Sequence, residues 1–340
     1  MIQFFVSFIF EITAYYNTHI QICLVIGAKC NLFKVLLPFI FSCDNIYNMK
    51  KSVQQNQTQT CTTCPRNCKI SRQIQTGFCN EFDTIRISKI IKNFQWEEPC
   101  ITGTKGTLAI FFSGCNLCCD YCQNYEISRG GVGQTYTIDE FCKLIEENQD
   151  CHSSIDLVTP THFSKQLAMC FEKFKPSIPV VWNTNSYETE ENISLVSKFV
   201  DVFLADFKYS NDQLGQQFSK CNDYFSKALP AIKLMCKLKT DVLDGEFMNQ
   251  GVVLRHLVLP GHTKNSFEVL DQIANLFPNR KISLMSQFTP NGKSALNRRL
   301  TPIEYKAVVS HMQKLNLTNG YLQQFDSASE AFVPKFGENN

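Results

Sequence analysis

The chain has 340 residues, 44% hydrophobic and 19% charged, with a net charge of +2. That composition supports a sizeable core and argues against wholesale disorder; the near-neutral charge gives no basis for a nucleic-acid or membrane-surface binder. Seventeen cysteines exceed ordinary usage, yet they are clustered and too sparse for a disulfide scaffold, so metal or redox chemistry in a reducing, cytoplasmic compartment is the expectation.

Residues 1–48 differ from the rest. The apolar stretches "MIQFFVSFIF" and "NLFKVLLPFIF" are each shorter than the roughly 20 apolar residues of a membrane span. Glu11, Lys29, Lys34 and Pro38 interrupt this region. No basic residue precedes the first stretch and no Arg-rich amphipathic pattern follows, as targeting peptides would require. Met49 opens the polar run "KKSVQQNQTQT". The expectation is that 1–48 is a dispensable or mis-started extension, with a weak targeting or anchor segment as the alternative.

Residues 49–100 form a cysteine-rich lead-in. "CTTCPRNC" and "GFC" place Cys61, Cys64, Cys68 and Cys79 at C-x2-C-x3-C-x10-C spacing. Four such thiols can close a tetrahedral zinc site or hold an iron–sulfur cluster, and a metal there would add folding free energy to a small polar segment. "TIRISKIIK" (84–92) alternates like a strand.

From Thr107 onward, short apolar runs alternate with helix-like stretches: "TLAIFFS" (107–113), "SIDLVT" (154–159), "PVVWNT" (179–184), "DVFLADF" (201–207), "VVLRHLVL" (252–259) and "KISLMSQF" (281–288). Nearly continuous apolar runs suit strands buried on both faces. Between them, Thr137 with Glu140 and Thr301 with Glu304 read as capping boxes, Pro302 suits a first helical position, and Phe267, Leu270, Ile273 and Leu276 or Phe277 recur at helical spacing. Six βα units fall short of a closed eight-unit barrel. The expected fold is α/β, a partial (β/α)6 TIM-like barrel over 101–334, with "GYLQQF" (320–325) as a seventh edge strand, a 335–340 tail, and the working end at the C-terminal edge of the strands.

The loop after the first of these strands, "FFSGCNLCCDYCQN" (111–124), holds four cysteines. Buried inert thiols, a zinc knuckle on Cys115, Cys118, Cys119 and Cys122, and a C-x3-C-x2-C set of Cys115, Cys119 and Cys122 are the competing readings. In the last, three thiolates hold three irons of a four-iron cube and leave the fourth open, as catalytic metal sites do.

With "LVTPTHF", "DVFLADFKYS", "LRHLVLPG", "SLMSQFTP" and the upstream cysteines, this loop resembles the radical SAM superfamily, in a branch similar to pyruvate formate-lyase activating enzyme, over Cys61 to Pro334. The resemblance implies a [4Fe-4S] cluster on Cys115, Cys119 and Cys122. It implies reductive cleavage of S-adenosylmethionine to a 5'-deoxyadenosyl radical, an electron donor such as flavodoxin or ferredoxin, and hydrogen abstraction from a substrate, a glycyl-radical protein among the candidates. Radical modification of a small molecule and a non-catalytic iron–sulfur or zinc electron-transfer protein are the alternatives. Three departures stand out. Cys118 sits where relatives carry a basic residue and reads as a bystander. Asn185 and Ser186 stand where relatives carry glycines. "VTPTH" replaces the usual Gly-Gly-Glu, leaving Thr159, Thr161 or His162 as candidates to meet the methionine amino group.

Asn183, Asp206, Lys208, Arg255, His256 and Gln287 interrupt apolar strands near their C-terminal ends. Buried charge is costly unless paired or used. Asp206, Lys208 and Arg255 either pair with one another or, with Tyr121 and Asn183, contact S-adenosylmethionine or substrate. Met285 reads as core or as an adenine contact. Glu97, Glu98 and Pro99 read as structural, the remaining cysteines as incidental, and no catalytic residue is assigned.

Overall fold

The computed structural model describes residues 60–292, 294, 296–325 and 336. The expectations for 1–48, and for the 335–340 tail apart from Phe336, lie outside the described residues.

The elements, in chain order, are β1 (Ile85–Phe94), α1 (Pro99–Thr102), β2 (Thr107–Phe112), α2 (Tyr125–Gly130), β3 (Gln134–Tyr136), α3 (Ile138–Asn148), β4 (Ser154–Val158), α4 (Ser164–Lys173), β5 (Val180–Thr184), α5 (Glu190–Val196), β6 (Val202–Asp206), α6 (Asp212–Ser219), α7 (Tyr224–Leu238), β7 (Val242–Asp244), β8 (Phe247–Leu257), α8 (Thr263–Leu276), β9 (Lys281–Met285), α9 (Pro302–Lys314) and β10 (Gly320–Leu322). Strands β2, β4, β5, β6, β8, β9 and β10 run parallel, each paired with the next. This single winding is how a barrel turns, but β2 and β10 lie at opposite ends of the parallel run, so it stays open. The result is the partial barrel the sequence led us to expect, with β10 as its seventh strand. β1 closes one flank, antiparallel to β2 and β3.

The parallel strands are apolar throughout because both faces are covered. All six residues of β2 and all five of β4 and β5 are buried. Helices α3 and α9 begin at the reciprocal capping boxes of Thr137/Glu140 and Thr301/Glu304. On α8, Val269, Leu270 and Ile273 turn into the main core with Trp182, Phe203 and Leu254. Two expectations shift. β8 starts five residues earlier than its apolar run, because its first half pairs with the short strand β7 across a turn at Gly245. β9 stops at Met285 rather than Phe288.

The cysteine-rich segment lies against the thiol loop. Arg66 donates to the carbonyls of Asn116 (2.7 Å) and Lys220 (2.8 Å), Arg129 to those of Phe78 and Leu117 (both 2.9 Å), and Arg72 to those of His162, Glu81 and Phe82. The close approach needs Gly114, whose φ is +81°. A Cβ there would sit 2.4 Å from the Cys79 carbonyl oxygen. Gly245 also has positive φ, but a Cβ there meets nothing within 4 Å. Gly114→Ala should therefore destabilise the protein by the ~1 kcal/mol left-handed strain plus ~1–3 kcal/mol of overpacking. Gly245→Ala should cost only the strain. Calorimetric melts showing equal losses would refute the docking argument.

Candidate active site

Strand β2 ends at Phe112 and the chain turns through Ser113 and Gly114 into the thiol loop, beyond the C-terminal edge of the sheet. Backbone bonds fix the loop: Gly114 N–H to Ile127 (2.9 Å), Cys118 N–H to Ser219 (3.1 Å), Asp120 N–H to Phe218 (2.8 Å) and Cys122 N–H to Cys119 (3.2 Å). The buried Asn116 side chain donates to the Tyr187 carbonyl (2.7 Å) and accepts from Asn185 (2.7 Å). Cys115, Cys119 and Cys122 line one cavity of about 450 Å³; Cys118 does not.

The three cavity thiols are not alike in their partners. The Cys115 sulfur receives the Leu117 N–H (3.3 Å) and lies 3.6 Å from the Asn185 amide nitrogen. Cys119 meets the Ser219 hydroxyl (2.9 Å), which continues through Tyr209 (2.6 Å) to Tyr121 (2.8 Å). Burial pushes Cys115 up to about 11, Cys119 up to about 12, and Cys122 upward as well. As free thiols they stay protonated; a soft metal would displace the protons.

Facing them is an ion network. Arg255 donates to Asp206 (2.8 Å), Glu97 (2.9 Å) and Asn183 (2.5 Å), and Lys208 donates to the other Asp206 oxygen (2.5 Å). Burial would raise the Asp206 carboxyl, but Arg255 and Lys208 hold it below its usual value. The paired arrangement weighed from the sequence is therefore present, and it also lines the cavity.

Of the residues singled out from the sequence, Tyr121, Thr159, Asn183, Asp206, Lys208, Arg255, Met285 and Gln287 reach this cavity. Thr161 and His162 are not among its lining residues. Thr161 donates to buried Glu188 (2.7 Å). His162 Nε2 binds the Ser113 carbonyl (2.6 Å), so that nitrogen carries the proton; burial lowers the ring to about 3, keeping it neutral. His256 is likewise committed below the site, to the Phe207 carbonyl and the Ser266 hydroxyl. Of the "VTPTH" candidates only Thr159 remains at the cavity, with φ +58°, unusual for a β-branched residue. Ser186 has φ +63°, a left-handed conformation that ordinarily favours glycine.

Sequence reasoning missed Asn116, Ser219 and Asp156, single polar residues inside apolar or helical runs with no local signal. It read Glu97 and Glu98 as structural, yet both line the cavity. Asp156 is buried next to Asn183 (3.3 Å). Burial chiefly, with Glu98 nearby, raises it to about 7 despite Arg255 and Asn183.

The upstream thiols are also brought close. A Cβ at Gly77 would meet the sulfurs of Cys79 (3.5 Å) and Cys68 (3.6 Å), and the Phe78 N–H points at Cys68 (3.4 Å). Cys64 and Cys79 are raised by burial and by neighbouring thiols, Cys61 acting on both. Among the described residues no three His, Cys, Asp or Glu side chains are grouped to hold a single metal ion. In a cluster each thiolate bonds its own iron, so spaced thiols on one wall fit that donor chemistry.

Asp156 gives a pH test. Its folded value lies above its ordinary 3.8, so the stability it contributes is whole below about pH 3.8 and is lost as pH rises to about 7. Glu97, Glu98 and Arg255 are the charged groups acting with it. The melting temperature of the wild type should fall relative to that of Asp156→Asn as pH rises from 4.5 to 7.5. A pH-independent difference would contradict the assignment.

Residues 109–273, from β2 into α8, match the family model of the Radical SAM superfamily. The chain is 29% identical over 291 residues to the uncharacterized protein MJ0674 of Methanocaldococcus jannaschii, covering 80% of each. Similar solved structures include Streptococcus suis SuiB bound to S-adenosylmethionine, at TM-score 0.47 and 8% identity over 65% of this chain and 51% of that one. SuiB bound to its precursor peptide SuiA gives TM-score 0.44 and 9% identity over 62% and 46%. A domain of pyruvate-formate lyase-activating enzyme from Bacteroides vulgatus gives TM-score 0.36 and 15% identity over 48% and 91%. The chain spans about half the length of the SuiB structures it matches. Among the described residues no helix is long and apolar enough to cross a membrane.

Proposed function

We propose that this chain, whose residues 109–273 carry a radical SAM domain, is an iron–sulfur enzyme that abstracts a hydrogen atom from an organic substrate held in the cavity. The observation that carries this reading is that Cys115, Cys119 and Cys122 share one cavity wall while the adjacent Cys118 does not. Those three thiols would hold a [4Fe-4S] cluster and leave one iron without a protein ligand. When bound, the cluster supplies an electron that cleaves S-adenosylmethionine to methionine and a 5'-deoxyadenosyl radical.

The chain's own residues bind, orient and exclude water. The N–H groups of Leu117 and Asn185 beside Cys115, and the Ser219 hydroxyl beside Cys119, would lower the electron density on those sulfurs and so tune the cluster's potential. Lys208 commits one of its three ammonium hydrogens to Asp206 and keeps two for a carboxylate. Asp206 holds Lys208 and Arg255 in place. Thr159, Asn183 and Tyr121 are the remaining polar groups proposed to meet the bound S-adenosylmethionine. A flavodoxin or ferredoxin is the proposed reductant.

The finer reading, activation of a glycyl-radical protein, is supported by the sequence segments shared with activating enzymes; radical modification of a small molecule is the other. Incubation with a candidate protein should give a glycyl-radical electron paramagnetic resonance signal under the first and none under the second.

After anaerobic reconstitution, Cys115→Ala, Cys119→Ala and Cys122→Ala should each lose cluster iron and 5'-deoxyadenosine formation, while Cys118→Ala keeps both. A wild-type protein with a full cluster that yields no 5'-deoxyadenosine would instead indicate an electron-transfer protein. Cys61, Cys64, Cys68 and Cys79 are proposed to hold a second iron–sulfur cluster. Cys61→Ala should then lose roughly four irons per chain, a loss that adds to that of Cys115→Ala in the double variant. Unchanged iron in Cys61→Ala would refute a second cluster.

A further inference from the structure

The cavity runs from the thiol loop to the segment that connects β1 with α1. Phe94 pairs with Thr107 at the start of β2, while Cys115 follows its end. Both line the same space. The foot of the cavity differs in chemistry from the thiol end. It is walled by Phe94, Trp96 and Phe111 together with the carboxylates of Glu97 and Glu98. The Phe94 ring lies 5.2 Å from Trp96 and 5.9 Å, edge-on, from Phe111.

Charge at this foot does not balance. Four carboxylates, those of Glu97, Glu98, Asp156 and Asp206, act on one another and on Arg255. Among the described residues, Arg255 and Lys208 are the cations that oppose them, and both are bonded to Asp206, Arg255 also to Glu97. Among the described residues neither Glu98 nor Asp156 forms an ion pair, although Arg255 acts on both at longer range. Glu98 lines the cavity yet is only 7% exposed, and its Oε2 makes no hydrogen bond. Asp156 is fully buried, and its Oδ1 is likewise without a partner. Buried carboxylate oxygens without donors are rare and costly. An arrangement that leaves one at a cavity wall and another behind it is completed by a cation.

We infer that the foot of the cavity is a subsite for an organic cation, an ammonium or guanidinium group of the substrate, held by Glu98 with Asp156 behind it and flanked by the Phe94 and Trp96 rings. The inference deepens, and rests on, the reading of this cavity as the substrate chamber of a radical SAM enzyme. Aromatic faces attract such cations, and a guanidinium or ammonium supplies the donor that the orphan Glu98 oxygen lacks, while Asp156 acts from behind through its charge. A metal ion is the poorer occupant, since no three of these side chains are grouped to hold one. Burial raises both Glu97 and Asp156; a bound cation would draw both back toward ionisation.

The test is calorimetric titration of the full chain with four probes: n-butylammonium, n-butylguanidinium, n-butanol and magnesium chloride. At least one organic cation should bind about tenfold tighter than butanol, a difference of roughly 1.4 kcal/mol. Glu98→Gln, nearly the same shape, should remove that preference, and Asp156→Asn should weaken it. Melting curves of both variants establish that they are folded. Equal binding of butanol and the cations, a preference that survives in both variants, or binding of magnesium in place of the organic cations would overturn the proposal. The titration needs no turnover, so it stands apart from 5'-deoxyadenosine formation: loss of the latter alone sinks the radical SAM reading, and loss of the former alone sinks the subsite.

Discussion

Arg255 sits inside the barrel with its side chain 11% exposed, and it stays charged, held above even its high ordinary value by Asp206 and Glu97 despite burial. A buried cation must be surrounded by acceptors or it destabilises the fold. This one constraint orders much of the interior. Its three nitrogens reach strand β5 through Asn183, strand β6 through Asp206 and the 95–98 segment through Glu97. The guanidinium fork supplies these bonds in fixed directions, so the strand ends and the segment below them are held in register by a single side chain. Asp206 then carries Lys208, which places a second cation toward the thiol end.

The thiol loop is braced from outside by a different device. Its carbonyls and those of the cysteine-rich segment accept from Arg66, Arg72 and Arg129, and Gly114 removes the side chain that would hold the two apart. A loop proposed to carry three ligands for one cluster must hold its sulfurs in place on its own account. Here neutral, hydrogen-bonded thiols packed beneath a second layer meet that need. The upstream segment thus has a mechanical part to play whatever its own four cysteines bind.

The parallel strands were legible because each is buried on both faces and nearly continuous in apolar residues, and the capping boxes of α3 and α9 are local signals that need no tertiary context. Strands β3 and β7, three residues each, carry no such pattern. At the site, the C-x3-C-x2-C spacing and the polar residues ending apolar strands were readable, since both break an otherwise strong rule. Thr161 and His162 looked equivalent to Thr159 in the sequence. A short turn after Thr159 commits them instead to Glu188 and Ser113. Ser219 and Asn116 were hidden because their roles depend on chain segments 100 and about 70 residues away meeting at the thiols.

The two cavity ends impose opposite electrostatic demands on whatever bridges them. At the thiol end, Lys208 offers ammonium hydrogens to an anionic group. At the foot, Glu98 presents an oxygen with no donor. Arg255 lies between, fully engaged by Asp206, Glu97 and Asn183, and so separates the positive end from the negative one without adding free donors of its own to the foot. A substrate lying along this axis is oriented by charge before any shape complementarity acts: its cationic group can be desolvated only at the foot, which directs the opposite end of the molecule toward the thiol loop. Orientation of this kind is what the proposed hydrogen abstraction would require, since such a reaction selects one C–H bond by position rather than by acidity.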